Sequence, residues 1–247
     1  MKVIVIIPAA GLGTRMAPAA DKERKAAPSK QFAELGGIPI LIHTLRKFAA
    51  SPEVEHIVLA LRQNEIESFL PRVGRERLGK TVFAVEGGEH RQQSVANALA
   101  ALSAAAPDDI VLVHDAVRPF VSQQIIHEVI EGAKKHGAAI AGLPAVDTVK
   151  QVDRTADGAV VTATVPRERV VLAQTPQAFR YDVLKKAFDE AARDGFVGTD
   201  EASIVERSGH DVAVVMGSAH NIKITTPADL ELAEFYLKAT PAVTHRG

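Results

Sequence analysis

The chain has 247 residues, with 29 Lys+Arg against 30 Asp+Glu, a formal net charge of −1 and no cysteine. The length supports a substantial core, and the missing cysteine excludes a disulfide framework, a thiolate nucleophile and a zinc–thiolate centre. Near-neutral charge, an aromatic content of 4% and no Trp argue against a dedicated nucleic-acid binder, which needs a basic face or stacking platforms.

Met1-Lys2 followed by Val3-Ile4-Val5-Ile6-Ile7 has the outline of a signal-peptide start. The apolar run stops at Pro8, short of the roughly 7–15 residues of a signal core. It reads as a buried first strand over Lys2–Pro8, and a cytoplasmic location is expected. No apolar run approaches the roughly 20 residues that cross a bilayer.

Pro8-Ala9-Ala10-Gly11-Leu12-Gly13-Thr14-Arg15-Met16 follows that strand. A glycine-rich turn in this place brings backbone N–H groups close to phosphate oxygens. Met16 stands where a dinucleotide fingerprint needs a third glycine, so a dehydrogenase reading fails. The Lys-Ser/Thr of a Walker loop is absent as well. Residues 14–31 carry Arg15, Lys22, Arg24, Lys25 and Lys30 against Asp21 and Glu23. A locally basic loop after a glycine turn suits a small polyanion such as a nucleoside triphosphate. Lys22, Arg24 and Lys25 read equally as a solvated surface.

Further strands are predicted at His56–Leu61, Thr81–Val85, Asp109–His114, Ala138–Leu143 and Val212–Val215. They are apolar on both faces, the pattern of parallel strands covered on both sides. Helices are predicted over Arg91–Ser103, over Ser122–His136 with Ser122 as N-cap, and over Pro227–Leu237 with Thr226 as cap. Strand–helix alternation predicts an α/β fold: a doubly wound, mostly parallel, Rossmann-like sheet with helices on both faces, in a single domain over 1–247. Residues 145–173 break the rhythm. Asp157-Gly158 between two β-branched runs predicts a hairpin. An isolated ribbon is marginal, so it needs a second surface, either a partner subunit or its own domain. The arm of a homodimer is the expected answer.

Seven motifs in order carry a resemblance. They are Ala9-Ala10-Gly11-x-Gly13-x-Arg15-Met16 with Lys30-Gln31-Phe32, Gly87-Gly88-Glu89-His90-Arg91-Gln92-Gln93-Ser94, and Val113-His114-Asp115-Ala116-Val117-Arg118-Pro119. Then come Pro144-Ala145-Val146-Asp147-Thr148-Val149-Lys150, Gln174-Thr175-Pro176-Gln177-Ala178-Phe179, and Thr199-Asp200-Glu201-Ala202-Ser203, with Asn221-Ile222-Lys223-Ile224-Thr225-Thr226-Pro227 closing the series. Together they resemble the glycosyltransferase-A-like nucleotidyltransferases, and within these the 2-C-methyl-D-erythritol 4-phosphate cytidylyltransferase family.

The resemblance implies that a phosphate oxygen of methylerythritol phosphate attacks the α-phosphorus of CTP and pyrophosphate leaves. Such chemistry calls for cations and Mg²⁺ rather than a protein nucleophile. It implies Arg15 and Lys30 as the catalytic pair. Ala9, Ala10, Gly11, Gly13, Gly88, Glu89, Ser94 and Lys223 would hold the nucleotide. Arg118, Asp147, Thr148, Arg167 and Thr175 would meet the sugar phosphate, with the arm reaching into the partner subunit's site. Asp115 would hold the metal. Arg91 reads either as a phosphate contact or as a first-turn surface residue. Two departures stand out. The segment from Arg15 to Lys30 is longer than usual in the family, which makes Lys25 a rival for Lys30 and suggests a lid over CTP. His220 stands where family members often carry Asp, which leaves Asp115 as the expected carboxylate. The closest competing activity is ribitol 5-phosphate cytidylyltransferase, and a non-catalytic nucleotide-binding module is the competing class.

Overall fold

In the computed structural model the described residues are 1–11 and 30–239. Gly13, Arg15, Lys25 and the expected lid lie outside them. In chain order the elements are β1 (Val3–Pro8), β2 (Glu34–Leu35), β3 (Ile38–Pro39), α1 (Ile40–Ala49), β4 (His56–Leu61), α2 (Gln63–Arg75), β5 (Thr81–Glu86), α3 (Arg91–Ala101), β6 (Ile110–Val113) and α4 (Gln123–His136). They continue with β7 (Ala138–Pro144), β8 (Val149–Thr155), β9 (Gly158–Val165), β10 (Val171–Arg180), α5 (Tyr181–Asp194), α6 (Glu201–Arg207), β11 (Ala213–Met216) and α7 (Pro227–Ala239).

Among the described residues the main sheet has seven strands in the order β11-β7-β10-β6-β1-β4-β5. All neighbours are parallel except β10, which runs antiparallel to both β6 and β7. Side-chain alternation along β1 explains its unbroken apolar run. Val3, Val5 and Ile7 pack into one layer with Leu45 and Phe48 of α1, Phe69 of α2 and Ile126 and Ile130 of α4. Ile4 and Ile6 pack into the other with Leu99 of α3, Leu184 and Phe188 of α5 and Val205 of α6. The α/β class and the two-sided helical cover match the reading of the sequence.

Helix ends follow their signals. The Ser122 hydroxyl accepts from the N–H of Ile125 at 3.2 Å, and α4 stops at Gly137, whose φ of 85° suits glycine. The Thr226 hydroxyl accepts from Asp229 N–H at 3.2 Å, one residue before Pro227 opens α7. Element ends differ from the predicted ones by one or two residues, where helices and strands fray.

The insert differs in extent from its prediction. The free ribbon is β8 and β9, and Thr155 pairs with Gly158 across the turn as the Asp-Gly signal requires. Val171, Leu172 and Ala173, expected in the arm, already pair with Pro144, Leu143 and Gly142 in the main sheet. The strand they begin was hidden by its polar Gln174-Thr175-Pro176-Gln177 centre. Pro removes a ladder donor, and the β10–β7 register shifts between Ala173 and Gln177 to absorb it.

Strand order reverses at β1, with β4 and β5 on one side and β6 on the other. Ligands of open α/β sheets bind beyond the carboxyl ends of strands at such a point. The loops leaving β1, β5 and β6 meet there.

Candidate active site

Those three loops, with Lys30 and Lys223, enclose a cleft of about 260 Å³. The first wall is Ala9, Ala10 and Gly11. Ala9 N–H bonds to Ala60 O at 2.8 Å, and the buried Gln31 amide donates to Ala9 O at 2.5 Å. Gln31 thereby fastens the neighbouring Lys30 to the end of β1. The second wall is Gly88 and Glu89 after β5. Gly87 makes this approach possible: a Cβ there would lie 2.4 Å from the Cβ of Ala10. Gly88 N–H donates to the Ser94 hydroxyl at 3.0 Å, which shapes the turn into α3. Small side chains and backbone groups on both walls suit a flat base and its ribose.

The floor is ionic. Asp115 is 7% exposed and lies two residues past β6. Among the described residues three cations surround it. Lys223 lies 3.0 Å and Arg118 3.1 Å from Oδ2, and Arg91 lies 3.4 Å from Oδ1. Burial alone would raise the Asp115 carboxyl, but Arg91, Lys223 and Arg118 outweigh it and hold it far below the usual carboxylate range. These cations favour the ionised form of Asp115. Its own N–H donates to the Thr175 hydroxyl at 3.0 Å.

Arg91 is half-buried and ion-paired rather than a free first-turn residue. One of its terminal nitrogens lies 2.5 and 2.6 Å from the two oxygens of Glu201, a carboxylate 1% exposed. Burial works against the Arg91 charge, yet Glu201 and Asp115 prevail and push its pKa further up. Burial raises Glu201, opposed by the guanidinium against both of its oxygens.

Apart from Gly13 and Arg15, which lie outside the described residues, each predicted site residue has a definite place. Ala9, Ala10, Gly11, Lys30, Gly88, Glu89, Ser94, Asp115 and Lys223 line the cleft. Arg118 and Thr175 sit behind Asp115 rather than on the cleft wall. Arg118 also donates to Asn221 O at 2.6 Å, and Asn221 donates to Thr175 O at 2.8 Å. Asp147, Thr148 and Arg167 gather at the base of the arm, where Arg167 donates to Val146 O at 2.9 Å. His220 stacks on Tyr236 of α7 with ring centroids 4.6 Å apart. Sequence reasoning missed Gln31, Asn221 and Glu201 as site-building residues. All three lie inside the quoted motifs, but only the fold shows what each one holds.

His114 is fully buried beside the site. Its Nε2 pairs with Arg118 O at 3.1 Å, and its ring meets Phe48 edge-on. Burial pushes its pKa down to about 4. The unfolded chain therefore binds the proton first as pH falls. The stability from keeping this imidazole neutral is complete above the ordinary value near 6.5 and is lost down to about pH 4. The expected loss is on the order of 3 kcal/mol. Urea unfolding at pH 7.5, 6 and 4.5 checks it, and His114→Gln should flatten the decline.

The comparisons agree with this geometry. The family model described as IspD, 2-C-methyl-D-erythritol 4-phosphate cytidylyltransferase, matches residues 3–239. A protein of that name from Acidobacterium capsulatum is 57% identical over 238 residues, spanning 96% of this chain and 98% of the relative. Another from Solibacter usitatus is 54% identical over 243 residues, with 98% of each chain covered. The crystal structure of the Francisella tularensis enzyme superposes with a TM-score of 0.77 at 37% identity, covering 95% of this chain and 99% of that one. Matches of this extent span both walls of the cleft, its ionic floor and the arm, and on them the chain belongs to the 2-C-methyl-D-erythritol 4-phosphate cytidylyltransferase family.

Proposed function

We propose that this chain transfers the cytidylyl group of CTP to 2-C-methyl-D-erythritol 4-phosphate, giving 4-diphosphocytidyl-2-C-methyl-D-erythritol and pyrophosphate for isoprenoid precursor synthesis in the cytoplasm. The observation that carries this reading is the cleft itself. Small residues and backbone form two close walls, Arg91 and Lys223 meet Asp115 at its floor, and Lys30 lines the same cleft. That is a mould for a base with a polyphosphate tail.

An oxygen of the acceptor phosphate forms a bond to the α-phosphorus of CTP, and the bond from that phosphorus to the bridging oxygen of pyrophosphate breaks. No covalent enzyme intermediate is required. Charge shifts toward the leaving oxygens, and Lys30 and Lys223 stabilise it as point charges, with Arg15 assigned the bidentate role. Asp115 fits a hard cation of the Mg²⁺ type, which takes one or two carboxylates and completes its shell with phosphate oxygens. Its Oδ1 meets only the long Arg91 contact among the described residues. When bound there, Mg²⁺ would neutralise the triphosphate and the leaving group. Arg118 and Thr175 hold Asp115 in place from behind.

The arm supports a homodimer with shared sites, built on a single domain over 1–247. Val160 and Val161 are 58% and 56% exposed on the ribbon, and Leu172 is 57% exposed at its base. Apolar exposure of this extent on a two-stranded ribbon calls for a partner. Asp147, Thr148 and Arg167 would then offer a carboxylate, a hydroxyl and a guanidinium to the partner's sugar phosphate. Deleting the ribbon should give a monomer in sedimentation that binds CTP and fails to turn over. Full turnover by that monomer would sink the shared site.

The decisive assay is pyrophosphate release across the four nucleoside triphosphates with methylerythritol phosphate or ribitol phosphate. Release with CTP and methylerythritol phosphate is expected. Exclusive use of ribitol phosphate would transfer the chain to the related activity. Tight CTP binding with no release would make it a non-catalytic module.

A further inference from the structure

Glu201 belongs to the Thr199–Ser203 motif, which the reaction as described leaves without a task. Its placement is built with care. The Asp200 carboxylate accepts from Ser203 N–H at 2.9 Å and caps α6. The buried Gln177 of β10 accepts from Ala202 N–H at 3.0 Å and donates to the other Asp200 oxygen at 2.8 Å. These bonds fix the start of α6 against the sheet, and Glu201 is thereby aimed at Nη1 of Arg91, whereas Asp115 faces its Nε.

The two oxygens of Asp115 are unequally used. Oδ2 lies 3.1 Å from Arg118 and 3.0 Å from Lys223, while Oδ1 has only Arg91 at 3.4 Å among the described residues. Arg91 meanwhile sits 2.5 and 2.6 Å from the Glu201 oxygens. A guanidinium released from Glu201 would close onto Oδ1 at the 2.7–2.9 Å typical of charge-assisted bonds. It would then occupy the edge that a cation needs.

We propose that Glu201 is a positioning residue: it holds the Arg91 guanidinium back from Asp115, keeping Oδ1 open to the divalent cation that accompanies CTP. The inference rests on the CTP reading above. Its chemistry is a balance of charge. Among the described residues Asp115 faces three cations, and Glu201 cancels one of them without lining the cleft.

The test is calorimetric binding of CTP, with no acceptor present, to the full chain in excess Mg²⁺ and in a chelator. The ratio of the two affinities measures the help that the cation gives. Glu201→Gln should leave metal-free CTP binding equal or tighter, because the cleft gains net positive charge. It should cut the Mg²⁺ enhancement by about tenfold. Arg91→Gln combined with Glu201→Gln removes the competing guanidinium and should restore the enhancement toward that of the unchanged chain. A merely structural Glu201 predicts parallel losses in both affinities and no restoration in the double variant, and either result overturns the proposal. If Glu201→Gln does not fold, Glu201→Asp carries the test: its shorter reach should reduce the enhancement, and an unchanged ratio counts against the proposal. Failure of the unchanged chain to bind CTP at all overturns the parent reading and this inference with it.

Discussion

Asp115→Asn is expected to remove turnover and to cost about 3 kcal/mol of folding stability, at the lower end of what breaking a buried ion pair costs. The cost does not fall equally on the three cations. Lys223 has a side chain 39% exposed and can turn to water. Arg91 keeps Glu201. Arg118, with a side chain 11% exposed, keeps only the neutral Asn221 carbonyl among the described residues, and most of the penalty lies there. Arg118→Gln added to Asp115→Asn should therefore recover part of the stability and none of the activity. Urea unfolding and pyrophosphate release separate the two effects. The loss of stability should also shrink at acid pH, because the unfolded chain then protonates Asp115 first and folding must expel that proton, which erodes the advantage over the neutral Asn. An active Asp115→Asn variant would remove Asp115 from the metal-binding role.

Lys30→Ala should lower turnover by roughly 10²–10³, equivalent to about 3–4 kcal/mol of lost charge stabilisation. Most of the change should appear in kcat, because the charge on the phosphates is greatest in the transition state. Lys25→Ala should retain activity. Lys30 lines the cleft, and its neighbour Gln31 is pinned to Ala9 at the end of β1. The reverse result, with Lys25 essential and Lys30 dispensable, would move the catalytic lysine into the preceding loop. Steady-state kinetics of the two variants at saturating CTP decides between them.

How much of this was legible in advance depends on the range of each interaction. Local signals read well. Ser122 as a cap, Thr226-Pro227 as a helix start and Asp157-Gly158 as a hairpin each depend on a few consecutive residues. Continuous apolar runs such as Val3–Ile7 announced strands buried on both faces, and with them the α/β class. β10 did not read as a strand, because Pro176 and three polar neighbours break its pattern. Those polar residues serve partners far away in the chain: Thr175 holds Asp115, and Gln177 holds the start of α6.

Arg91 shows the same division within the site. From sequence it was equally a phosphate contact or a surface residue. The side chain that decides the matter, Glu201, lies 110 residues away. Composition and order alone determined that this protein works without a thiolate, carries a basic loop after its first strand, and bears seven motifs of one family. Tertiary structure alone decided that Asp115 is ringed by cations, that Gly87 must be bare beside Ala10, and that Arg118 and Thr175 stand behind the cleft. The physical reason is that caps, turns and periodicity are set by neighbouring residues. Charge balance and close approach are set by groups that meet only when the sheet brings the ends of β1, β5 and β6 together.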